Sequence, residues 1–470
     1  MSRPGPLFLV LHAHLPWVRH PGHPRFLEEA WLFQALLESH LRLLQGLQRL
    51  WGTGHGFRIT LSLSPTLVGM WRDPLLRERF RAYVGRTRRL ARRRAGDLPS
   101  ELATRLLDFE ADYARLEAWW REDLGMDLES AWCRLRDRGA VELITTALTH
   151  GYLPLLRHHP GAVEAQLDLA LAFHERWSGR RPGGFWLPEM GYFPGLERIL
   201  ARRDLRWFCV DSHALPGLAV ARCPAGPVCL ARDAACTREV WSRSGGFPGD
   251  PAYREFHREI RADDGEPTGL KPWRIGAGGR SRAPYDPRTA AGRARADAHR
   301  FLARRRLCPA PQLAAYDAEL FGHWWYEGVD WLLEVLRAAP DYGIETLTPM
   351  DWLARGPLLP EATPLESSWG EGGYHRVWLH EDSAWIWPRL ARIQKGLVDA
   401  AARGGSPGRL GPARHALLLA QASDWPFMLR PGVYPEYARM RVTRHLEEAE
   451  RRLWAASTGE VEAGPLPLFE

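Results

Sequence analysis

The stretch GGFWLPEMGYFPG, residues 183–195, decides the fold. Phe185-Trp186-Leu187 is a short apolar run bounded by glycines and a proline, the pattern of a buried strand. It runs straight into a lone carboxylate, Glu189, which is followed by the turn residues Gly191, Tyr192 and Pro194. An ionisable group at the C-terminal end of a buried strand is how parallel β/α barrels present their chemistry.

Working outward, the same pattern recurs. LFLVLHA (7–13), RITLSLSP (58–65), VELITTAL (141–148), LRWFCVD (205–211), QLAAYD (312–317) and IETLTP (344–349) read as further strands, with helical patterns between several of them. That alternation predicts α/β architecture with a parallel barrel. About 65 residues of helical pattern between the second and third strands exceed what one crossover needs and predict an inserted helical hairpin over 70–135. After residue 358 the strand signals fade, so 1–358 reads as the barrel domain and 359–470 as a C-terminal helical domain. The stretch 241–290, rich in Gly, Pro, Arg and Asp, reads as long loops, which in a compact protein are usually functional.

Composition bounds the function. The chain has 470 residues, 45% hydrophobic and 25% charged, with net charge +7. The apolar run before His12 is only LFLVL, too short for a signal peptide, and no run approaches the roughly 18 residues of a membrane span. Six cysteines without CxxC spacing fit a reducing compartment, so a soluble, cytoplasmic protein is expected. Lysine occurs only at 271 and 395, and the arginines of RTRRLARRR (86–94) alternate with Leu at helical spacing. They read as a solvated helix face, and neither a nucleic-acid nor a membrane partner is expected.

Ionisable groups stand at nearly every predicted strand end: His12 and His14, His150, Glu189, Asp211, and Asp317 with Glu319. Two carboxylates from different strands are what retaining glycoside chemistry needs, one as nucleophile and one as acid/base. Histidines beside them can bond sugar hydroxyls, and 22 tryptophans supply candidate faces for stacking pyranose rings. His12 and His14 share a strand face, which alone also fits a zinc-dependent sugar hydrolase completed by Asp211. Asp351 and Glu319 read as structural partners, and His323 as a packed histidine.

HAHLPW (12–17), LTHGYLP (148–154), GFWLPEMGY (184–192), AYDAELFGHWWYEG (315–328) and LTPMDWL (347–353) resemble the five sequence regions of glycoside hydrolase family 57. More narrowly, VRHPGHPRFLEEAWLF, GDPAYREFHR, TGLKPWRI, PYDP, SSWGEGG and QASDWPFM resemble its α-1,4-glucan branching enzymes. The resemblance covers nearly the whole chain. It implies an incomplete (β/α)7 barrel with an inserted helical subdomain and a C-terminal α-helical domain, using no metal or other cofactor. It implies Glu189 as nucleophile and Asp317 as acid/base. His12, His14 and His150 would line the cleavage point, and Trp273, Trp369 and Trp425 would bind the partner, an α-1,4-glucan such as amylose or glycogen. One departure stands out: the family's branching enzymes carry a tyrosine in a GYPGD context over the site, whereas GGFPGD here places Phe247. Hydrolysis, 4-α-glucanotransfer and glycogen binding without catalysis therefore stand as alternatives to branching.

Overall fold

The computed structural model describes residues 3–242, 245–276 and 283–458. Parts of the predicted loop stretch (243–244 and 277–282) and the end of the predicted C-terminal domain (459–470) lie outside the described residues. Eight strands form the sheet: β1 (Leu7–Ala13), β2 (Ile59–Leu63), β3 (Val141–Thr146), β4 (Gly184–Trp186), β5 (Trp207–Val210), β6 (Val220–Arg222), β7 (Val228–Ala231) and β8 (Gln312–Asp317). They hydrogen-bond in the order β6-β7-β5-β4-β3-β2-β1-β8. The pairs β1–β8, β3–β4, β4–β5 and β5–β7 are parallel, and β6 lies antiparallel on β7 at one end of that order. Setting that edge strand aside leaves the seven strands of an incomplete (β/α)7 barrel.

β1, β2, β5 and β7 are buried at every position, and β1 and β5 accordingly read in sequence as nearly continuous apolar runs. The β6–β7 hairpin has no counterpart among the predicted strands. Its strands are three and four residues long and its turn, closed by Gly226 N–H to Cys223 O, uses Gly226 at φ +109° inside a Pro-Gly-rich stretch. IETLTP, conversely, is no strand. It gives a single bridge, Leu7 to Thr346, before the Thr348 hydroxyl accepts from Asp351 N–H and turns the chain into the helix Pro349–Leu353. That cap takes the backbone away from the ladder.

Two compact units emerge from the packing. The first comprises Met1–Leu61, Met70–Leu143 and Arg232–Arg355; the second comprises Ser62–Gly69, Ile144–Ala231 and Gly356–Glu470. In the first, β1 pairs with β8 in a register that sets His12 beside Asp317. The helices Pro74–Ala95 and Ser100–Glu122 form the inserted hairpin there, with Asp73 capping the first through Leu76 N–H. Five of the six arginines of the 86–94 run pair with acids: Arg86 with Glu266 (3.0 Å), Arg88 and Arg92 with Glu110 (2.7 and 2.8 Å), and Arg93 and Arg94 with Asp263 (2.5 and 3.2 Å). In the second unit β4 and β5 carry a core of Phe185, Leu187, Phe208 and Val210. The helices Ile386–Ala402, Pro407–Ala420 and Pro435–Thr458 pack on one another as the C-terminal helical part. No helix among the described residues is long and apolar enough to cross a membrane.

Candidate active site

In the second unit Glu189 follows β4. After β4 the chain makes a single turn over Pro188–Met190, and both Glu189 (φ +60°) and Met190 (φ +50°) take the left-handed conformation. Two consecutive non-glycine residues there cost about 1–3 kcal/mol each, so the surroundings must impose the shape. They do so from SSWGEGG: Trp369 N–H donates to Glu189 O (3.0 Å), and Tyr192 and Ser367 exchange backbone bonds at 2.9 and 3.1 Å. The carboxylate is then held at both oxygens. Trp369 Nε1–H donates to Oε2 at 2.7 Å and the Ser423 hydroxyl to Oε1 at 2.8 Å.

His150, itself at φ +58°, places Nδ1 2.8 Å from Ser423 Oγ and 3.8 Å from Glu189 Oε1. A serine hydroxyl has one hydrogen, and Ser423 gives it to Glu189. The consistent arrangement is therefore a chain in which His150 Nδ1–H donates to Ser423, which donates to Glu189. Ser423 N–H also donates to His150 O at 3.0 Å, tying the two turns together. Ser423 was missed in the sequence reading. It lies inside QASDWPFM, but a serine carries no charge or bulk to single it out, and its partner is 234 residues away.

The tryptophans named from sequence divide. Trp369 bonds Glu189 and packs edge-on to Trp186, with ring centres 5.5 Å apart. Trp425 is fully buried, its indole N–H donating to Leu419 O at 2.7 Å, and it seats the short helix Asp424–Met428 that follows Ser423. Trp273, in the first unit, lies under the Arg258 guanidinium at 5.0 Å and forms an isolated bridge with Pro284. Asp211 is occupied with its own turn, accepting from Ser212 N–H at 2.6 Å.

In the first unit the residues named from sequence stand at the ends of β1 and β8. Asp317 closes β8 in extended conformation and sits across the ladder from His12. His12 and His14 stack with ring centres 5.8 Å apart. Burial, with His14 adding repulsion, pushes the pKa of His12 well below the ordinary histidine value, so it stays a neutral ring able both to donate and to accept. Glu319, two residues beyond Asp317, accepts from His14 N–H at 3.2 Å and contacts His40 Nε2 at 2.8 Å. Asp351 is half-exposed and pairs with Arg58 at 3.3 Å. His323 Nδ1 lies 2.6 Å from Glu38. Phe247 is buried, its ring 6.0 Å from Trp331 and 6.4 Å from Trp325.

The sheet, less its antiparallel edge strand, is that of an incomplete (β/α)7 barrel, a fold that presents its chemistry at strand ends. The chain belongs to glycosyl hydrolase family 57. The model of that family matches residues 8–227, and a model of the C-terminal region of 1,4-alpha-glucan branching enzymes matches residues 410–467. The chain is 31% identical to the 1,4-alpha-glucan branching enzyme of Thermococcus kodakarensis, over 95% of this chain and 73% of that one. It superimposes with a TM-score of 0.88 on the crystal structure of a GH57-type branching enzyme from Pyrococcus horikoshii, at 29% identity and with 99% of each chain covered. The crystal structure of the α-amylase AmyC from Thermotoga maritima gives the same score, at 28% identity, covering 98% of this chain and 95% of that one.

Proposed function

We propose that this protein is a retaining 1,4-α-glucan branching enzyme. Glu189 attacks the anomeric carbon of an α-1,4-linked glucose, forming a glycosyl ester as the bond to the leaving oxygen breaks. Asp317 gives that oxygen its proton, then takes the proton of the incoming glucose 6-hydroxyl while the ester is displaced, so configuration is inverted twice and retained. His12, His14 and His150 bond the sugar at the cleavage point, and Trp273 and Trp369 offer faces to neighbouring glucose units, with Trp425 supporting the turn of Ser423.

The observation that carries this reading is the Glu189 carboxylate, fixed by Trp369 Nε1–H and Ser423 Oγ–H on a left-handed turn. A solvated loop acid would have no reason to be held so; a nucleophile that must meet a carbon atom would. The partner is an α-glucan, amylose or glycogen, and the six free cysteines, four of them buried, fit a reducing compartment such as the cytoplasm.

Hydrolysis is the second reading. It is favoured by the equal structural likeness to an α-amylase and by the absence of a hydroxyl at Phe247. Incubating the protein and its Glu189→Gln variant with amylose, and following reducing ends and α-1,6 linkages together, separates the outcomes. Branching gives α-1,6 linkages with few reducing ends, and the variant gives neither. Reducing ends without branches make the protein a hydrolase, and glucan binding with no product from either protein makes it a binding protein.

A further inference from the structure

The helix that follows β1 is not regular. It runs as α-helix over Glu29–Ala35, opens into a π-turn over Leu36–His40, closed by Leu41 N–H to Leu36 O, and resumes as α-helix over Leu41–Gly52. A π-turn carries one more residue per turn than an α-helix. It therefore narrows the angle between successive side chains, and such turns recur at functional sites. Here three consecutive residues, all buried, reach one target, the loop 318–323 directly after Asp317. Glu38 meets His323 Nδ1 at 2.6 Å, Ser39 Oγ–H donates to Ala318 O at 2.9 Å, and His40 Nε2 meets Glu319 Oε1 at 2.8 Å.

The contact extends to the backbone. Gly322 sits at φ +102°, and a Cβ there would lie 1.8 Å from Glu38 O and 3.1 Å from Ser39 Cα, so loop and π-turn touch main chain to main chain. Glu38, wholly buried, is itself held by Arg254 at 2.8 Å, and that cation together with Lys271 and His323 keeps its carboxyl well below the usual range despite burial. It is thus a fixed anion at the centre of the clamp. Glu319 closes the circuit, because the oxygen that meets His40 also accepts His14 N–H and so ties the end of β1 to the same loop.

None of these groups is Asp317, yet together they leave the loop that carries it little freedom. We infer that the π-turn, through Ser39 and His40, positions Asp317 for proton donation, with His40 and Glu319 as the positioning pair. This rests on Asp317 being the acid/base. A displacement of about 1 Å of a reacting group can cost roughly a hundredfold in rate. Loosening the clamp should therefore slow the step that needs a proton more than one that does not.

The test compares two substrates. Cleaving amylose requires Asp317 to protonate a sugar oxygen, whereas an α-maltohexaosyl fluoride loses fluoride as Glu189 bonds to carbon, without a proton. For each protein kcat/KM is measured on both. In Asp317→Asn the amylose value should fall far more than the fluoride value; an equal fall would overturn the acid/base reading and this inference with it. In His40→Ala, and in the milder Ser39→Ala, the amylose value should fall roughly tenfold or more while the fluoride value stays within about twofold. His40→Gln, which can still donate to Glu319, should recover part of the loss. If Asp317→Asn behaves as expected while the π-turn variants lose both activities equally, or lose neither, the clamp is structural only and the inference fails alone.

Discussion

Glu189 can be aimed only if its two donors are in place. Ser423 and Trp369 each give it one hydrogen bond, from turns that are themselves pinned by backbone bonds to His150 and to Glu189 O. A hydrogen bond to a charged group is worth about 1.5–3 kcal/mol, and here its loss would also let the carboxylate rotate. Ser423→Ala should therefore lower kcat/KM on amylose by roughly 10- to 100-fold, with a modest fall in melting temperature because His150 and Glu189 each lose a buried partner. Trp369→Phe keeps an aromatic ring but removes the N–H together with part of the indole bulk that packs on Trp186, so it should show a loss of at least the same order. Steady-state rates on amylose, read beside thermal melts of each variant, check this; a variant at full rate would mean that the bond does not orient the nucleophile. The two residues differ in how they could be found. Trp369 stands in a recognisable motif and was named from the sequence, whereas Ser423 is an ordinary small polar residue until the fold brings it to the carboxylate.

Individual elements carry their own liabilities. His415 lies on the helix Pro407–Ala420, where burial alone draws its pKa from 6.5 down to about 4. The folded protein thus refuses a proton that the unfolded chain accepts below pH 6.5. The penalty is absent above that pH and grows as the pH falls to about 4, reaching at most about 3 kcal/mol. His415→Gln cannot titrate, so urea unfolding of the variant should lose less stability than wild type between pH 6.5 and 4, with the two curves parallel above 7. Identical acid slopes would show that this histidine is not the sensor. The same scale shows what periodicity can and cannot reveal. β1, β5 and β8 were legible because parallel strands buried on both faces carry short apolar runs, and Ser100–Glu122 because Pro99 marks its start. The β6–β7 hairpin was not, since three or four residues between Gly and Pro carry too little pattern. Nor was the π-turn at Leu36–His40, which inserts one residue into an otherwise regular amphipathic run and leaves no mark of its own.

For the molecule as a whole, on the proposed double displacement, the outcome depends on which acceptor reaches the glycosyl ester first, a glucose 6-hydroxyl or water. The acids and histidines were legible because each closes a strand-like run, so chemistry of this class could be read from sequence. The contacts that hold the loop around Phe247 could not be read from sequence, because they join distant residues. Phe247 begins a short turn whose ring is buried against Trp325 and Trp331, with the Arg300 guanidinium 5.5 Å away. Just beyond it, Asp250 pairs with Arg293 at 2.6 Å and the Tyr253 hydroxyl donates to Asp297 at 2.6 Å. The ring therefore anchors the start of a pinned loop. Phe247→Ala removes the anchor and should cost about 3 kcal/mol or more in stability. With the loop loosened, water gains access to the ester, and the ratio of reducing ends to α-1,6 linkages should rise. Phe247→Tyr keeps the anchor and adds the hydroxyl that the family's branching enzymes carry, so the ratio should fall below that of wild type. Both products must be counted in one amylose digest, because a change in total cleavage alone would not separate acceptor choice from catalytic rate. If the Ala variant keeps the wild-type ratio, the loop governs stability and has no hold on the acceptor.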